Sequence, residues 1–351
     1  MNPVLLFFFK CIIYVFTLIY SFGFCCWLGF YTLSHPKRKY WRIKSREKPP
    51  QCLQDPSWGT HGYVQLQDVR LHYVENGDST KPLMLFVHGF PEFWYSWRYQ
   101  LREFSKDYWS VAIDMRGYGD SDKPEKKSHY KMHILIEDIR QVVLTLGREK
   151  FVLVAHDWGG LIAWNFMDFH SDMVEKFIIM NCPYHKDWTR ALVLYPKQFI
   201  KSWYCFFFQM PYLPELALYM NDFKKFDIVV NQNHDPSNKT VTEEDVEAFK
   251  YTFSKPGSLT QAINYYRTNC GVLYLGKSPE KYPPGLLLFG EQDDYLGVEF
   301  IDMAKRTVGN LQTFSLKDAN HFVQQDHPHK VNAIMRAFLE GQNLHETYAL
   351  F

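Results

Sequence analysis

A carboxylate that stands between an apolar run and two glycines constrains this chain more than any other feature. Residues 155–160 read Ala-His-Asp-Trp-Gly-Gly. The apolar residues 151–154 before them indicate a buried strand, and residues 161–166 after them have the pattern of a helix. A turn this sharp gives its apex residue a strained backbone and requires small neighbours. The apex residue is Asp157, which this pattern allows to be either a nucleophile or a helix N-cap.

Length and composition allow one large catalytic domain with an insertion and an additional segment. The chain has 351 residues, of which 46% are hydrophobic and 18% aromatic. Its formal net charge of +1 gives no electrostatic reason to expect a nucleic-acid partner. The seven cysteines are irregularly spaced and include no Cys-x-x-Cys pair. We therefore expect neither a disulfide framework nor a metal site.

An uncharged apolar run covers residues 11–33. As a helix with a rise of about 1.5 Å per residue, this run is long enough for a bilayer core of about 30 Å. Seven Lys and Arg residues follow between 37 and 48, whereas only Lys10 and the amino terminus carry positive charge before the run. We predict a single-pass anchor in residues 1–35, in the endoplasmic reticulum membrane, with the body on the cytoplasmic side. We give this charge bias more weight than the single glycosylation sequon at Asn238.

The body alternates between strand-like and helix-like segments, with one interruption. Residues 36–57 are a basic and proline-containing linker, and the alternation covers residues 58–183 and 272–351. Such alternation predicts an α/β fold with a doubly wound, mostly parallel sheet. Residues 184–271 are aromatic and helix-like throughout, with a helix start predicted at Thr242. We interpret them as an inserted helical lid.

Two further polar groups follow predicted strands in the order that a hydrolytic triad requires. The loop after the apolar run 286–289 carries Asp293 and Asp294, and the loop after the last predicted strand carries His321. The carboxyl ends of parallel strands meet at one edge of a sheet, so these groups can meet the apex carboxylate there. The preceding strand is followed by Asn181, which has no charge to offer an imidazolium. Asp293 is the preferred acid, and Asp294 is the alternative.

A carboxylate at the apex narrows the reaction. It attacks a saturated carbon that bears a leaving group and forms an enzyme ester, which a histidine-activated water then hydrolyses. The backbone N–H groups of Trp158 and Phe90 are the expected oxyanion donors. An epoxide oxygen requires acidic O–H donors, and a halide requires weak N–H donors such as indoles. Tyr204 and Tyr266 in the lid are candidate O–H donors.

Several motifs carry a family resemblance. They read His-Gly-Phe-Pro-Glu at 88–92, Trp-Tyr-Ser-Trp-Arg-Tyr-Gln-Leu at 94–101, Asp-Met-Arg-Gly-Tyr-Gly at 114–119, Ala-His-Asp-Trp-Gly-Gly at 155–160 and Gly-Glu-Gln-Asp at 290–293. These motifs resemble those of the α/β-hydrolase epoxide hydrolases, most closely the membrane-anchored, epoxide hydrolase 4-like subgroup. The lid tyrosines of that family lie in Tyr-x-x-x-Phe-Gln-x-Pro and Asn-x-Tyr-Arg runs, which residues 204–211 and 264–267 match. The resemblance covers nearly the whole chain after about Pro49.

The resemblance implies a role for each matching residue. Asp157 is then the nucleophile, Asp293 the orienting acid, His321 the base, and Tyr204 and Tyr266 the donors to the epoxide oxygen. It also implies a reaction without a cofactor, in which lipophilic, lipid-derived epoxides and water form vicinal diols beside a membrane. The oligomeric state stays open.

Two other functions remain open at this point. A haloalkane dehalogenase-like hydrolase shares the aspartate at the elbow, but the tyrosine pair and the anchor argue against it. A catalytically quiet receptor or scaffold at the membrane is the other alternative, and the complete set of Asp157, Asp293 and His321 argues against it. Two departures from the family pattern are Asp294 beside the acid and Asn320 before the histidine.

The charge bias predicts the outcome of a topology experiment. Protease added to intact microsomes should digest the body, and Asn238 should carry no glycan, because a cytoplasmic body never meets the glycosylation machinery. Immunoblotting with and without detergent and a glycosidase shift assay measure both properties. A body that is glycosylated and protected from protease would contradict the orientation.

Overall fold

A single sheet of eight strands organises the residues described by the computed structural model, which are 3–36, 40–230, 240–270, 276 and 278–349. The strands are β1 Thr60–Gln65, β2 Arg70–Asn76, β3 Leu83–Val87, β4 Trp109–Ile113, β5 Phe151–His156, β6 Val174–Met180, β7 Gly285–Gly290 and β8 Leu311–Leu316. Their spatial order is β1-β2-β4-β3-β5-β6-β7-β8. Strand β2 is antiparallel to both β1 and β4, and the other neighbouring pairs are parallel.

Helices cover the two faces of this sheet, and a separate group fills the connection between β6 and β7. They are α1 Pro3–Ser34, α2 Arg98–Phe104, α3 Met132–Thr145, α4 Trp158–His170, α5 Trp188–Leu194, α6 Pro196–Lys201, α7 Trp203–Phe207, α8 Leu213–Val230, α9 Glu243–Ser254, α10 Ser258–Asn269, α11 Glu299–Thr307, α12 Val323–Asp326, α13 Pro328–Glu340 and α14 Leu344–Tyr348. Short 3-10 helices lie at Gln51–Gln54, Pro56–Trp58, Trp94–Trp97, Lys127–Tyr130 and Ser171–Met173. Helices α5 to α10 form the connection, within the range predicted for the lid.

The burial of the central strands explains why their sequences are continuously apolar. Every residue of β3, β5 and β7 is buried, as expected when helices cover both faces of a parallel sheet. In the edge strand β8, by contrast, only Phe314 and Leu316 are buried. The predicted α/β architecture with a mostly parallel sheet is confirmed.

The residues before the sheet lie against the lid. Within α1, the segment Cys11–Ser34 is long and apolar enough to cross a membrane, and the Thr17 hydroxyl donates a hydrogen bond to the Phe206 carbonyl of α7 at 3.0 Å. Further along the chain, the Arg46 guanidinium binds the carboxylates of Asp222 and Glu247 with N–O distances of 2.7 and 2.9 Å. The basic residues 37–39 and the sequon asparagine at 238 lie outside the described residues.

The turn between β5 and α4 depends on the two glycines that follow its apex, Gly159 and Gly160. Asp157 has φ of +48°, a left-handed conformation that is strained for any residue with a Cβ. A Cβ added to Gly159 would lie 2.2 Å from the Val87 carbonyl oxygen, and one added to Gly160 would lie 2.6 Å from the Cβ of Cys182. The two glycines therefore let α4 pack directly on the adjoining backbone.

We expect Gly159→Ala to lower the free energy of unfolding by about 3 kcal/mol, because the added methyl meets a backbone carbonyl that cannot move aside. Thermal denaturation of the detergent-solubilised chain measures the change. Gly309→Ala is the matched control, since a Cβ there meets no described atom within 4 Å. Equal melting temperatures for the two variants would contradict the close approach at the elbow.

Candidate active site

The Asp157 side chain points away from the helix that it precedes. It makes no capping hydrogen bond to α4, and its Oδ1 instead accepts a hydrogen bond of 2.7 Å from the backbone N–H of Phe90. Gly89 permits this approach, because a Cβ there would lie 2.4 Å from the same oxygen. The loop after β3 therefore holds one carboxylate oxygen and leaves the other available.

The free oxygen of Asp157 faces the predicted histidine. His321 Nε2 lies 3.5 Å from Asp157 Oδ2, and His321 Nδ1 lies 2.7 Å from Asp293 Oδ2. His321 and Asp293 are each only 2% exposed. The three side chains come from the ends of β5, β7 and β8, so the parallel sheet brings them to one edge as expected.

Asp293 rather than Asp294 lies beside the histidine, and several donors hold it there. Its Oδ1 accepts hydrogen bonds from the backbone N–H groups of Tyr295 and Leu296 at 2.7 and 2.9 Å. Its Oδ2 accepts one from the Asn181 side-chain amide at 2.7 Å, whereas Asp294 is exposed. Asn181 has no charge to offer the imidazolium, as predicted, but it serves as an uncharged donor to the acid, a role that residue type alone does not indicate.

These contacts shift the pKa values of all three groups. Burial disfavours the charged form of His321, but the charge of Asp293 and its hydrogen bonds to both carboxylates outweigh that effect and raise its pKa to about 10. Burial also disfavours ionisation of Asp157 and Asp293, but the imidazolium outweighs it and holds the pKa of each carboxyl below its ordinary value. At neutral pH the site therefore contains one imidazolium between two carboxylates.

A second buried hydrogen-bond network contacts the backbone of His321. His156 directly precedes the apex aspartate. Its Nε2 is 2.9 Å from the His321 carbonyl oxygen, and its Nδ1 is 2.6 Å from Glu92 Oε2. The same Glu92 oxygen accepts a hydrogen bond of 2.9 Å from the Gly89 N–H. One buried carboxylate thus connects the oxyanion loop, the elbow and the histidine loop. Glu92 belongs to the motif at 88–92 and His156 to the motif at 155–160. Their roles were not predicted, because local spacing does not indicate which distant groups they contact.

Tyr204 on α7 and Tyr266 on α10 lie above Asp157. Their ring centroids are 5.8 Å apart and their planes are nearly perpendicular, and both line the cavity spaces that contain the Asp157 carboxylate. Burial, together with the charge of Asp157, raises the pKa of each phenol well above its ordinary value of 10. Both phenols therefore keep their protons and can donate hydrogen bonds.

Two polar side chains couple the helices that carry the tyrosines. The Gln209 amide donates hydrogen bonds to the carbonyls of Cys205 and Tyr266 at 3.0 and 3.2 Å. Arg267 binds Glu215 through two hydrogen bonds of 2.7 and 2.9 Å and donates from Nε to the Phe208 carbonyl at 3.0 Å. These contacts explain why glutamine and arginine accompany the tyrosines in the two lid runs.

Two cavity spaces meet at Asp157. One has a volume of about 110 Å³ and extends past Leu161, Trp188 and Cys270. The other, also of about 110 Å³, extends past Phe207, Leu218 and Phe226. Their walls are mainly apolar, and they share Asp157 and the two tyrosines.

The remaining predicted donor is the backbone N–H of Trp158. It is the first amide of α4 and has no acceptor within that helix.

Known proteins resemble this chain over most of its length. Residues 82–328 match the family model described as alpha/beta hydrolase fold. The chain is 44% identical to epoxide hydrolase 4 of Homo sapiens, over 86% of this chain and 84% of that protein. It is 42% identical to epoxide hydrolase 3 of Xenopus tropicalis, over 84% of this chain and 82% of that one.

Solved structures that superpose on this chain belong to the same family. A crystal structure of a mutant epoxide hydrolase from Bacillus megaterium superposes with a TM-score of 0.73 at 32% identity, covering 80% of this chain and all of that one. A crystal structure of an epoxide hydrolase from Vigna radiata superposes with a TM-score of 0.70 at 30% identity, covering 80% of this chain and 98% of that one. The chain belongs to the epoxide hydrolases of the α/β-hydrolase fold.

Proposed function

We propose that this protein hydrolyses lipophilic epoxides to vicinal diols through a covalent ester on Asp157. The main support for this proposal is the position of the Asp157 carboxylate. Asp157 has one oxygen on the Phe90 N–H and the other beside His321, below two protonated phenols. A serine-type hydrolase offers a hydroxyl at this point, whereas a carboxylate can alkylate without prior deprotonation.

In the first step, Asp157 Oδ2 attacks one epoxide carbon while the carbon–oxygen bond of the ring breaks. Tyr204 and Tyr266 donate hydrogen bonds to the departing oxygen, and one of them transfers its proton to it. The imidazolium proton of His321 then restores the phenol. The negative charge of Asp157 and the positive charge of His321 disappear together, so the net charge of the site does not change and Asp293 remains the one carboxylate beside the imidazole.

Ester formation also prepares the base for the second step. The hydrogen bond and the charge of Asp157 both raise the pKa of His321 in the free enzyme, and both are lost when the carboxylate becomes an ester. The resulting neutral imidazole, still oriented by Asp293, takes a proton from water as its hydroxyl attacks the ester carbonyl. The N–H groups of Phe90 and Trp158 stabilise the oxyanion. Collapse releases the diol and regenerates the carboxylate and the imidazolium.

The two cavity spaces support a substrate with apolar substituents on both epoxide carbons. The walls on each side of Asp157 are lined by aliphatic and aromatic side chains, such as Leu161 on one side and Phe226 on the other. A lipid-derived epoxide placed within an alkyl chain has one arm for each space. The apolar helix α1 supports the same substrate class, because a membrane anchor keeps the enzyme where such lipids are dissolved. We place the anchor in the endoplasmic reticulum membrane, with the catalytic body in the cytoplasm.

We expect His321→Gln to form the ester but fail to hydrolyse it, because alkylation needs no base and hydrolysis does. Intact-protein mass spectrometry after exposure to a lipid epoxide should show one adduct, which peptide mapping should place on Asp157. Asp294→Asn is the control and should keep turnover within about twofold, because Asp294 is exposed beside the buried acid. Full turnover by His321→Gln, or an adduct on another residue, would contradict the mechanism.

The tyrosine pair predicts a separate loss in the alkylation step. Either Tyr204→Phe or Tyr266→Phe should slow ester formation by roughly 10²–10³-fold, by analogy with the loss of an oxyanion donor. The double variant should be slower still, because each phenol partly replaces the other. Stopped-flow single-turnover measurements resolve this step from ester hydrolysis.

Tyr265→Phe is the matched control for this pair. Tyr265 is the neighbouring buried tyrosine, and its hydroxyl donates to the Arg116 carbonyl at 2.8 Å rather than facing the cavity. Ester formation in the control should stay within about threefold of wild type. If the double variant forms the ester as fast as wild type, the two tyrosines only pack the lid.

A further inference from the structure

The outer face of the lid carries large apolar side chains that no described residue covers. Val193 and Tyr212 are each 78% exposed and Ile200 is 67% exposed, and Leu194 and Trp203 are also exposed. Single exposed apolar residues are common on protein surfaces and need no explanation. These five lie on or between the consecutive elements α5 to α8, which places them on one part of the lid.

The charges of the same part of the lid have one sign. Residues 188–207 contain Arg190, Lys197 and Lys201 and no Asp or Glu. Arg190 and Lys197 are exposed, whereas Lys201 donates from Nζ to the Asp293 carbonyl. Exposed apolar residues combined with cations and no carboxylate are typical of a surface at the edge of a bilayer, where long Lys and Arg side chains extend their charged ends to anionic headgroups.

Helix α1 packs directly on this part of the lid. Phe16 meets Phe199 of α6 with ring centroids 4.8 Å apart, and Phe24 meets Phe207 of α7 at 5.2 Å. At about 1.5 Å per residue, these contacts lie roughly 8 to 20 Å along the apolar segment Cys11–Ser34, away from both of its ends. The lid helices that pack there therefore lie beside the apolar segment of α1 and not beyond either of its ends.

We propose that the outer face of α5 to α7 is embedded in the lipid bilayer beside α1, and that the epoxide enters the cavity from the bilayer through this face. The entry route rests on the proposed function, whereas the position of the lid does not. The membrane that holds α1 therefore also covers this surface of the lid.

Several backbone N–H groups of this part of the lid are paired internally, as contact with hydrocarbon requires. A lipid-facing segment must satisfy its N–H groups internally. The N–H groups of Ser202, Cys205 and Phe208 each donate to a lid carbonyl, at 3.0, 3.0 and 2.8 Å. The polar side chains of Gln198 and Ser202 are buried and donate to partners inside the protein rather than facing outward.

Only one layer of side chains separates this face from the cavity. Trp203 is 40% exposed and also lines the space beside Asp157. Phe207 lines the same space and contacts Phe24 of α1. A rotamer change of these aromatic side chains opens a path from the acyl chains to the nucleophile, whereas an approach from water must first desolvate a lipophilic substrate.

Photolabelling tests the position of the lid without depending on activity. The full chain is reconstituted into phosphatidylcholine–phosphatidylserine vesicles that contain a phosphatidylcholine with a diazirine at the end of an acyl chain. After irradiation, mass spectrometry should find lipid adducts on peptides from residues 188–207 as well as on α1. Adducts on α1 alone overturn the proposal.

A matched pair of substitutions tests the entry route in the same vesicles. Ile200→Asp places a charge on the embedded face, where it opposes contact with lipid, and Leu144→Asp places one on α3, where Leu144 is 43% exposed outside the lid. For a long-chain epoxide dissolved in the vesicles, Ile200→Asp should lower kcat/KM about tenfold and Leu144→Asp less than twofold.

Styrene oxide in the aqueous phase separates this proposal from the proposed function. Both variants should turn it over within twofold of wild type, because the site itself is unchanged. Equal losses for the two epoxides in Ile200→Asp, or no loss for either, overturn the entry route. A wild-type chain that turns over neither epoxide but still shows lipid adducts on residues 188–207 contradicts the proposed function and leaves the membrane position of the lid supported.

Discussion

The structure depends on a buried imidazolium held between two carboxylates. Burying three charged groups is costly unless each is paired and hydrogen-bonded. Here Asp293 receives two backbone N–H groups and the Asn181 amide, and Asp157 receives the Phe90 N–H. The parallel sheet makes this possible, because the ends of β5, β7 and β8 lie side by side and supply rigid positions for charges that attract one another.

The same arrangement requires strain at the elbow. Asp157 adopts a left-handed backbone conformation, and Gly159 and Gly160 leave room for α4 to begin at once. Behind this turn, Glu92 and His156 connect three loops through buried hydrogen bonds. The energetic cost of the apex is therefore offset by contacts that also position the oxyanion loop and the histidine.

The lid adds Tyr204 and Tyr266 to the site and packs against the apolar helix α1. Arg267 and Gln209 hold the two tyrosine-bearing helices together, while α1 packs on α6 and α7 through aromatic side chains. The linker adds Arg46, which binds two carboxylates of the lid. The lid therefore contacts the apolar helix on one side and the cavity beside Asp157 on the other.

Local patterns in the sequence determined the sheet, the elbow and the order of the triad. Apolar runs of strand length identify buried strands, and two glycines beside a carboxylate identify a strained turn, because both depend only on neighbouring residues. The helix start at Thr242 was predictable for the same reason, and its reciprocal capping hydrogen bonds with Asp245 are present. The short helices α12 and α14 were not predicted, since a few residues carry too little periodicity.

Contacts between distant parts of the chain were decided only by the tertiary structure. Spacing could not separate Asp293 from Asp294, because the two differ in burial and not in residue type. The roles of Asn181, Glu92 and His156 depend on partners that other strands supply. The packing of α1 on the lid likewise follows from the shapes of two surfaces far apart in the chain. The sequence determined which chemical groups were available, and the fold decided which of them meet, because charge pairing and burial depend on distances in space rather than along the chain.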